Sequence, residues 1–124
     1  PQVGVVGPFG LRTADLRHFD EVSTACQVDA MQAYCFAFRR ADLRKVGWMP
    51  ESFRFYRNLD IQYSFQFKDS GFRILADPSL PVRRHEHRVW SDLAEEEREK
   101  LSRENFRRFL KRWDHRKDLL VAPR

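Results

Sequence analysis

Three short apolar runs along the chain have the composition of buried β-strands. The first, Val3–Gly7, is rich in valine and is followed directly by Pro8. The second, residues 34–38, is rich in aromatic side chains, and the third, residues 72–76, ends just before Pro78. β-Branched and aromatic residues favour extended backbone, whereas proline interrupts it. The pattern therefore predicts three strands separated by long polar segments.

The segments between and after these strands carry helix signals. Residues 41–46 fit one or two helical turns that end at Gly47, a position where a residue without a Cβ is favoured. A second helix is expected to start at Asp60, whose carboxylate can accept a backbone hydrogen bond as the N-terminal cap, and to stop at Gly71.

A long amphipathic helix is predicted near the C-terminus, from Ser91 or Asp92 to about Asp114. We expect its apolar stripe to pack on the domain or on a partner subunit, which leaves a homodimer open. The basic side chains around the stripe also permit peripheral contact with an anionic membrane surface. The stripe consists of Leu101, Phe106, Phe109, Leu110 and Trp113, and the basic residues are Arg103, Arg107, Arg108, Lys111, Arg112 and Arg116.

The composition indicates one folded domain without a membrane span. A chain of 124 residues has room for a single core, and its 42% apolar and 14% aromatic residues exclude a disordered chain. No apolar stretch approaches the roughly 20 residues that cross a bilayer, and we find no signal-peptide pattern. Cys26 and Cys35 lack metal-site spacing, so we expect reduced thiols in a cytoplasmic protein.

The net charge of +5, from 23 basic and 18 acidic residues, favours contact with phosphate groups. Between Arg83 and Arg124 the two signs are mixed, which is more typical of a solvated helix face than of a nucleic-acid groove. Such phosphate groups occur in nucleic acid, in anionic lipids and in nucleotides. The charge therefore leaves open a small basic α+β module that binds nucleic acid or another protein without catalysis.

An ordered series of short motifs runs through most of the chain. A strand that ends in paired arginines precedes a Gly-aromatic turn, an aromatic loop leads to an Asp that opens a helix, and a Gly-aromatic-Arg-Ile strand precedes a His. This order resembles the C-terminal half of glycosyltransferase family 2. The motifs are Val28-Asp29-Ala30, Arg39-Arg40, Val46-Gly47-Trp48, Phe55-Tyr56, Leu59-Asp60, Gly71-Phe72-Arg73-Ile74, Pro78 and His85-Glu86-His87.

The resemblance covers roughly residues 3–87 and implies an α/β architecture. The expected fold is a partial GT-A (nucleotide-diphospho-sugar transferase) fold, with a short mixed sheet, helices and a long C-terminal helix. Residues 1–90 would form the acceptor- and metal-side half of the transferase domain, and residues 91–124 a C-terminal amphipathic helical extension. Nothing in the chain resembles the family's nucleotide-binding N-terminal half, so we expect this part to belong to a longer enzyme and to be inactive alone.

Three departures from the family pattern bear on the catalytic position. Ala33 stands where a glycine is common, Leu59 stands where the Glu of a Glu-Asp pair is expected, and the aromatic loop carries an extra residue. The step from Asp60 to Gly71 matches the step from the family's catalytic Asp to its glycine, so the resemblance places the base at Asp60. Another register would place Asn58 there, and an amide cannot act as a base.

Sugar transfer needs a base because an acceptor hydroxyl is too weak an acid to attack at neutral pH. The resemblance implies that Asp60 takes this proton, at a helix N-terminus whose dipole favours the ionised carboxylate. Tyr56, Arg57 and Tyr63 are close to Asp60 in sequence, and we expect them to shape the acceptor pocket.

The family resemblance also implies a divalent cation, Mg²⁺ or Mn²⁺, which offsets the charge that develops on the leaving nucleoside diphosphate. His85 best matches the His that completes the metal site in many members. His87 is the rival, because alternate residues of an extended segment face the same side. Arg88 lies beside them and suits either a pyrophosphate contact or an exposed loop.

Trp48 and Trp90 flank these segments. Aromatic faces stack on the apolar face of sugar rings, although burial is the commoner fate of tryptophan. The partners that the resemblance implies are a nucleotide-sugar donor and a saccharide or lipid-linked acceptor, with no nucleic acid. The expected location is the cytoplasm, including the cytoplasmic face of a membrane.

Overall fold

Seven β-strands and three α-helices make up the described part of the computed structural model, which comprises residues 2–53, 58–85 and 92–121. The strands are β1 (Val3–Gly7), β2 (Gly10–Arg12), β3 (Asp20–Glu21), β4 (Cys26–Val28), β5 (Ala30–Met31), β6 (Ala37–Phe38) and β7 (Arg73–Ala76). The helices are α1 (Leu43–Val46), α2 (Leu59–Asp69) and α3 (Glu95–Trp113), with single turns of 3-10 helix at Arg40–Asp42 and Lys117–Leu119. The fold is therefore mixed α/β, as predicted.

The larger of two sheets has four strands in the order β4-β7-β1-β6. Its two central strands, β1 and β7, run parallel, with Val5 beside Ile74 and Gly7 beside Ala76. The outer strands β6 and β4 pair antiparallel with them, so the sheet is mixed. The second sheet is antiparallel, with the order β3-β2-β5.

Helix α2 is buried between the larger sheet and α3. Every residue from 62 to 68 is buried. Tyr63 and Phe67 belong to the core cluster that includes Val5 and Ile74 of the sheet, whereas Phe65 belongs to a second cluster with α3. A helix that is buried on all sides has no single apolar stripe, which explains the irregular pattern of α2 in the sequence.

The apolar stripe of α3 packs on the domain itself. Phe109 and Trp113 are buried and meet the Phe65 ring, with centroids 5.1 and 5.8 Å away. Phe106 and Leu110 pack at the margin of the same cluster. These side chains pack within the domain, and the membrane contact predicted for the basic residues of this helix stays a prediction. No helix within residues 2–53, 58–85 and 92–121 is long and apolar enough to cross a bilayer.

Two sequence expectations are wrong in their local detail. Of the strand predicted at residues 34–38, only β6 (Ala37–Phe38) is extended, because residues 33–35 form a turn. Asp60 is the second residue of α2 and not its cap. The cap position belongs to Asn58, whose left-handed backbone (φ 62°) suits an asparagine.

Candidate active site

The parallel strands β1 and β7 end at the same edge of the larger sheet, which we call the carboxyl edge. In open α/β sheets, ligands bind in the crevice beyond the carboxyl ends of the strands. The Asp77 N–H donates to the Gly7 carbonyl at 2.9 Å. The Asp77 carboxylate accepts from the hydroxyl and amide of Ser79, and these bonds lower the pKa of Asp77. The exit from β7 is thus held against the end of β1.

A turn at residues 33–35, the edge turn, packs directly against the end of β1. A Cβ on Gly7 would lie 2.8 Å from Met31 Sδ and still closer to the Cys35 carbonyl oxygen. Only glycine lets the β1 backbone approach the turn this closely. The edge turn therefore lies at the carboxyl edge because residue 7 has no side chain.

Substitution of Gly7 by alanine tests this packing. The added methyl group must displace the edge turn or Met31, so we expect the free energy of unfolding to fall by about 1–3 kcal/mol. Urea denaturation measures the change. The control is Val6→Ala, because Val6 is adjacent on β1 but exposed. If Gly7→Ala is no less stable than Val6→Ala, the edge turn does not pack as described.

Asp60 is oriented by backbone groups of the edge turn and of its own helix. Its Oδ2 accepts the Ala33 N–H at 3.1 Å, and its Oδ1 accepts the Ile61 N–H at 2.9 Å. One turn later, the Ser64 hydroxyl donates to the Asp60 carbonyl at 2.7 Å and accepts the Met31 N–H at 3.0 Å. The half-buried carboxylate is thus fixed in the first turn of α2, where the helix dipole favours its ionised form.

His85 follows an arginine that packs on the edge turn. The Arg84 guanidinium lies over the Phe9 ring, 4.4 Å from its centroid, and 5.6 Å from the centroid of Tyr34. The two rings meet edge to face at 5.8 Å, and Arg84 also pairs with Glu21 at 2.9 Å. These contacts hold the end of the segment after β7 on the edge turn, with His85 exposed beside it.

The edge turn thus connects two of the predicted site residues. Asp60 is bonded to Ala33, and the next residue of the turn, Tyr34, is covered by the neighbour of His85. These contacts join residues that are far apart in the sequence; Asp60 and Ala33, for example, are separated by 27 positions. The tertiary fold, and not local sequence, joins both Asp60 and the neighbour of His85 to the edge turn.

Tyr63, which we predicted to line the acceptor pocket, is a core residue. Only 1% of its surface is exposed, and its hydroxyl donates to the Gly47 carbonyl at 2.8 Å. Burial raises the pKa of this hydroxyl. Its ring packs with Phe36 and Phe67. We therefore correct that prediction: Tyr63 packs in the core beneath the surface and presents no side-chain surface to an acceptor.

Trp48 is 82% exposed and so is placed where it can contact a ligand. Its stacking role stays a prediction. The other predicted site residues lie outside the described parts of the chain and also stay predictions; they are Tyr56, Arg57, His87, Arg88 and Trp90.

An open depression of about 470 Å³ runs along the first half of α3. It lies beside the start of α2, because the Asn58 amide donates to the Ser102 carbonyl at 3.4 Å. Its volume falls within the range of small-molecule sites. The lining combines both signs of charge and consists of Glu95, Arg98, Glu99, Ser102 and Arg103.

The described residues do not form a metal site. No group of three or more His, Cys, Asp or Glu side chains in residues 2–53, 58–85 and 92–121 is placed to hold an ion. His85 by itself is a poor site for Mg²⁺, which demands nearly octahedral oxygen ligation. The predicted Mg²⁺ or Mn²⁺ therefore rests on the resemblance alone.

Asp29 is a buried residue whose role we did not predict from the sequence. Its Oδ1 accepts from Lys68 Nζ at 3.0 Å and from the Val121 N–H at 2.6 Å, and its Oδ2 accepts the Thr13 N–H at 2.9 Å. Burial lowers the pKa of Lys68, and Asp29 opposes this shift. A carboxylate between two apolar residues, Val-Asp-Ala, is the sequence signal that could have indicated a buried ion pair.

Comparison with protein-family models, with curated proteins and with solved structures finds no match to this chain. A functional assignment therefore depends on the geometry of the carboxyl edge and on the residues that border it.

Proposed function

We propose that this domain is the acceptor-side half of a family 2 glycosyltransferase with a GT-A fold. In this proposal it transfers a sugar from a nucleotide-diphosphate donor to an acceptor hydroxyl in the cytoplasm, as part of a longer chain. The observation that carries the proposal is the position of Asp60. Its carboxylate is held by two backbone N–H groups, and one of them belongs to the edge turn on which Arg84, the neighbour of His85, also packs.

The chemical step assigns one task to Asp60. Its carboxylate accepts the proton of the acceptor hydroxyl as that oxygen forms a bond to the anomeric carbon of the donor sugar. The bond from the anomeric carbon to the nucleoside diphosphate breaks, and the diphosphate leaves with the electron pair. A base works best when its geometry is fixed before reaction. The hydrogen bonds from Ala33 and Ile61 supply that fixation.

We assign the acceptor to one of two surfaces. The depression along α3 offers room next to Asn58, two residues before the proposed base. The exposed indole of Trp48 offers a flat apolar face. Saccharide and lipid-linked acceptors both present a sugar or hydroxyl group to such surfaces, and the proposal covers both. If bound, Mg²⁺ or Mn²⁺ would offset charge on the leaving diphosphate; the described residues supply no further part of that site.

One observation favours the alternative, a basic binding module. Arg103, Arg107 and Lys111 form an exposed row at four-residue spacing on α3. Such a row can follow a phosphate backbone, and the affinity of a module of this kind falls steeply with salt. The acidic residues of the same helix oppose this use, since Glu95, Glu96, Glu97 and Glu99 are also exposed.

The proposed function is tested with the full-length gene product and a panel of nucleotide-sugar donors, in the presence of Mg²⁺ or Mn²⁺. We expect release of nucleoside diphosphate from one donor class, stimulated by a saccharide or lipid-linked acceptor. The parallel measurement is binding of an arbitrary double-stranded DNA at increasing salt. Binding that is lost steeply with salt, together with no consumption of any donor, would replace the proposal by the binding module.

A further inference from the structure

Residues 45–48, which we call the loop, comprise the end of α1 and the two residues that follow it. Side chains of α2 and of its C-cap Ser70 hold the four successive carbonyl groups of this loop. The bonds are Ser70 Oγ to Lys45 O at 3.4 Å, Gln66 Nε2 to Val46 O at 3.4 Å, Tyr63 Oη to Gly47 O at 2.8 Å and Gln66 Nε2 to Trp48 O at 3.2 Å. Loops usually satisfy their carbonyls with water. This one is fixed by a buried helix instead.

Gln66 makes the bond nearest to the tip of this loop, and it is oriented from behind. Its Oε1 accepts from Gln62 Nε2 at 3.2 Å, and Gln62 Oε1 accepts from the Trp113 indole N–H at 2.8 Å. All three residues are buried. We call this chain of bonds, from Trp113 through Gln62 and Gln66 to the Trp48 carbonyl, the amide relay. Each amide in it has a defined orientation, because the donor of one meets the acceptor of the next.

The loop presents an unusual side chain at its tip. Trp48 is 82% exposed, and the following residue, Met49, is 44% exposed. An indole left in water forgoes the large gain in free energy that its burial would provide. A rigid backbone beneath an exposed aromatic ring is the arrangement of a binding surface, since less conformational entropy is lost when a ligand binds.

The position of this loop relates it to the proposed base. Tyr63, which holds the Gly47 carbonyl, lies three residues after Asp60 on α2, so the two side chains are neighbours on the helix surface. The edge turn holds Asp60 in the first turn of α2, and the same helix holds the loop at residues 45–48 through Tyr63 and Gln66. Helix α2 therefore carries both the proposed base and the support of Trp48.

We propose that Gln66, oriented by Gln62, is a positioning residue that holds Trp48 as a platform for the apolar face of a pyranose ring of the acceptor. This inference rests on the proposed function and names the acceptor chemistry of that site. The relay does not touch the sugar itself. It fixes the backbone from which the indole projects, so its loss makes the platform mobile without removing the platform.

The test is an NMR study of the ¹⁵N-labelled protein with methyl glucopyranoside, methyl galactopyranoside and methyl mannopyranoside as probes. In the wild type, we expect a backbone order parameter at Trp48 of about 0.85, as in rigid secondary structure. We also expect the Trp48 indole N–H resonance to shift with at least one probe. The variant Gln66→Met keeps the length of the side chain but has no N–H donor for the Trp48 carbonyl. In this variant the order parameter of Trp48 should fall below about 0.6, and the affinity for the probe should decrease about tenfold.

Two variants separate positioning from general stability. Ser70→Ala removes a bond to the same loop but not to Trp48, and Ile74→Val weakens the core at β7, in the cluster that does not contain Trp113; both should leave the probe affinity unchanged. Trp48→Ala should abolish binding. A mobile Trp48 in the wild type, no indole shift with any probe, or an equal loss of affinity in Ile74→Val would each overturn the inference. Relay-dependent binding of a probe without donor consumption by the full-length protein would reject the proposed transferase and, with it, the acceptor as the ligand, and only the role of Gln66 in holding a sugar-binding Trp48 would remain.

Discussion

Replacement of Asp29 by alanine is expected to lower the free energy of unfolding by about 3–5 kcal/mol. The reason is the ammonium group of Lys68, whose side chain is only 5% exposed and would lose the carboxylate that balances its charge. The N–H groups of Thr13 and Val121 would lose their acceptor as well. Domains of this size are stable by about 5–15 kcal/mol, so the loss removes a large share of the stability and should shift the unfolding transition strongly. Urea denaturation measures the loss.

A second variant separates the ion pair from simple loss of volume. In Asp29→Leu with Lys68→Met, both charges are replaced by apolar groups, and we expect recovery of much of the lost stability. The surface control is Asp118→Ala, which removes an exposed partner of Arg116 and should have little effect. A loss below about 1 kcal/mol in Asp29→Ala would mean that the pair is not buried as described.

The second large effect is expected at Asp60. In the full-length protein, Asp60→Asn should slow sugar transfer by about 10²- to 10⁴-fold, the range for loss of a general base. The amide cannot take the acceptor proton, although its volume is that of the carboxylate. Its NH₂ group can also face the Ala33 N–H, which should cost about 1 kcal/mol of stability. The rate and the thermal transition are therefore measured on the same samples.

The matched control is Asp69→Asn at the other end of α2. It makes the same chemical change in the same helix, but its carboxylate pairs with Arg116 at 2.6 Å, away from the carboxyl edge. Transfer by Asp69→Asn should remain close to the wild-type rate. If Asp60→Asn also stays within a few-fold of wild type, the base lies elsewhere. The alternative alignment with the family, which places Asn58 at the catalytic position, would not supply a base either, because an amide cannot accept the proton.

The elements that local pattern specifies were predictable from the sequence. β1 and β7 are short apolar runs bounded by proline or glycine, and α3 carries a periodic stripe, so each was placed to within a few residues. The strand predicted at residues 34–38 was mostly wrong, because tertiary contacts and not the local sequence determine the conformation of this segment. The edge turn forms where the chain packs on the bare backbone of Gly7, 28 positions before Cys35.

In the candidate site, too, local sequence predicts some features and tertiary contacts determine the others. Asp60 could be singled out from its motif. The prediction that it caps α2 was wrong, because Asn58 adopts the left-handed backbone and takes the cap position. The bond from Ala33 to Asp60 could not be predicted, because the tertiary fold brings the two residues together. Gln62 and Gln66 have helical spacing in the sequence, but their burial between the sheet and α3 has no local signal. Polar residues that serve through distant partners are the ones that sequence patterns miss.

We propose Asp60 as the base in a single displacement at a sugar's anomeric carbon. The most direct measurement is the anomeric configuration of the product, followed by ¹H NMR as the full-length protein consumes a nucleotide-sugar donor in the presence of acceptor. Direct attack by a deprotonated hydroxyl predicts a first-formed product of inverted configuration, at a rate that collapses in Asp60→Asn. A product of retained configuration, or inversion that proceeds undiminished in Asp60→Asn, would contradict the claim.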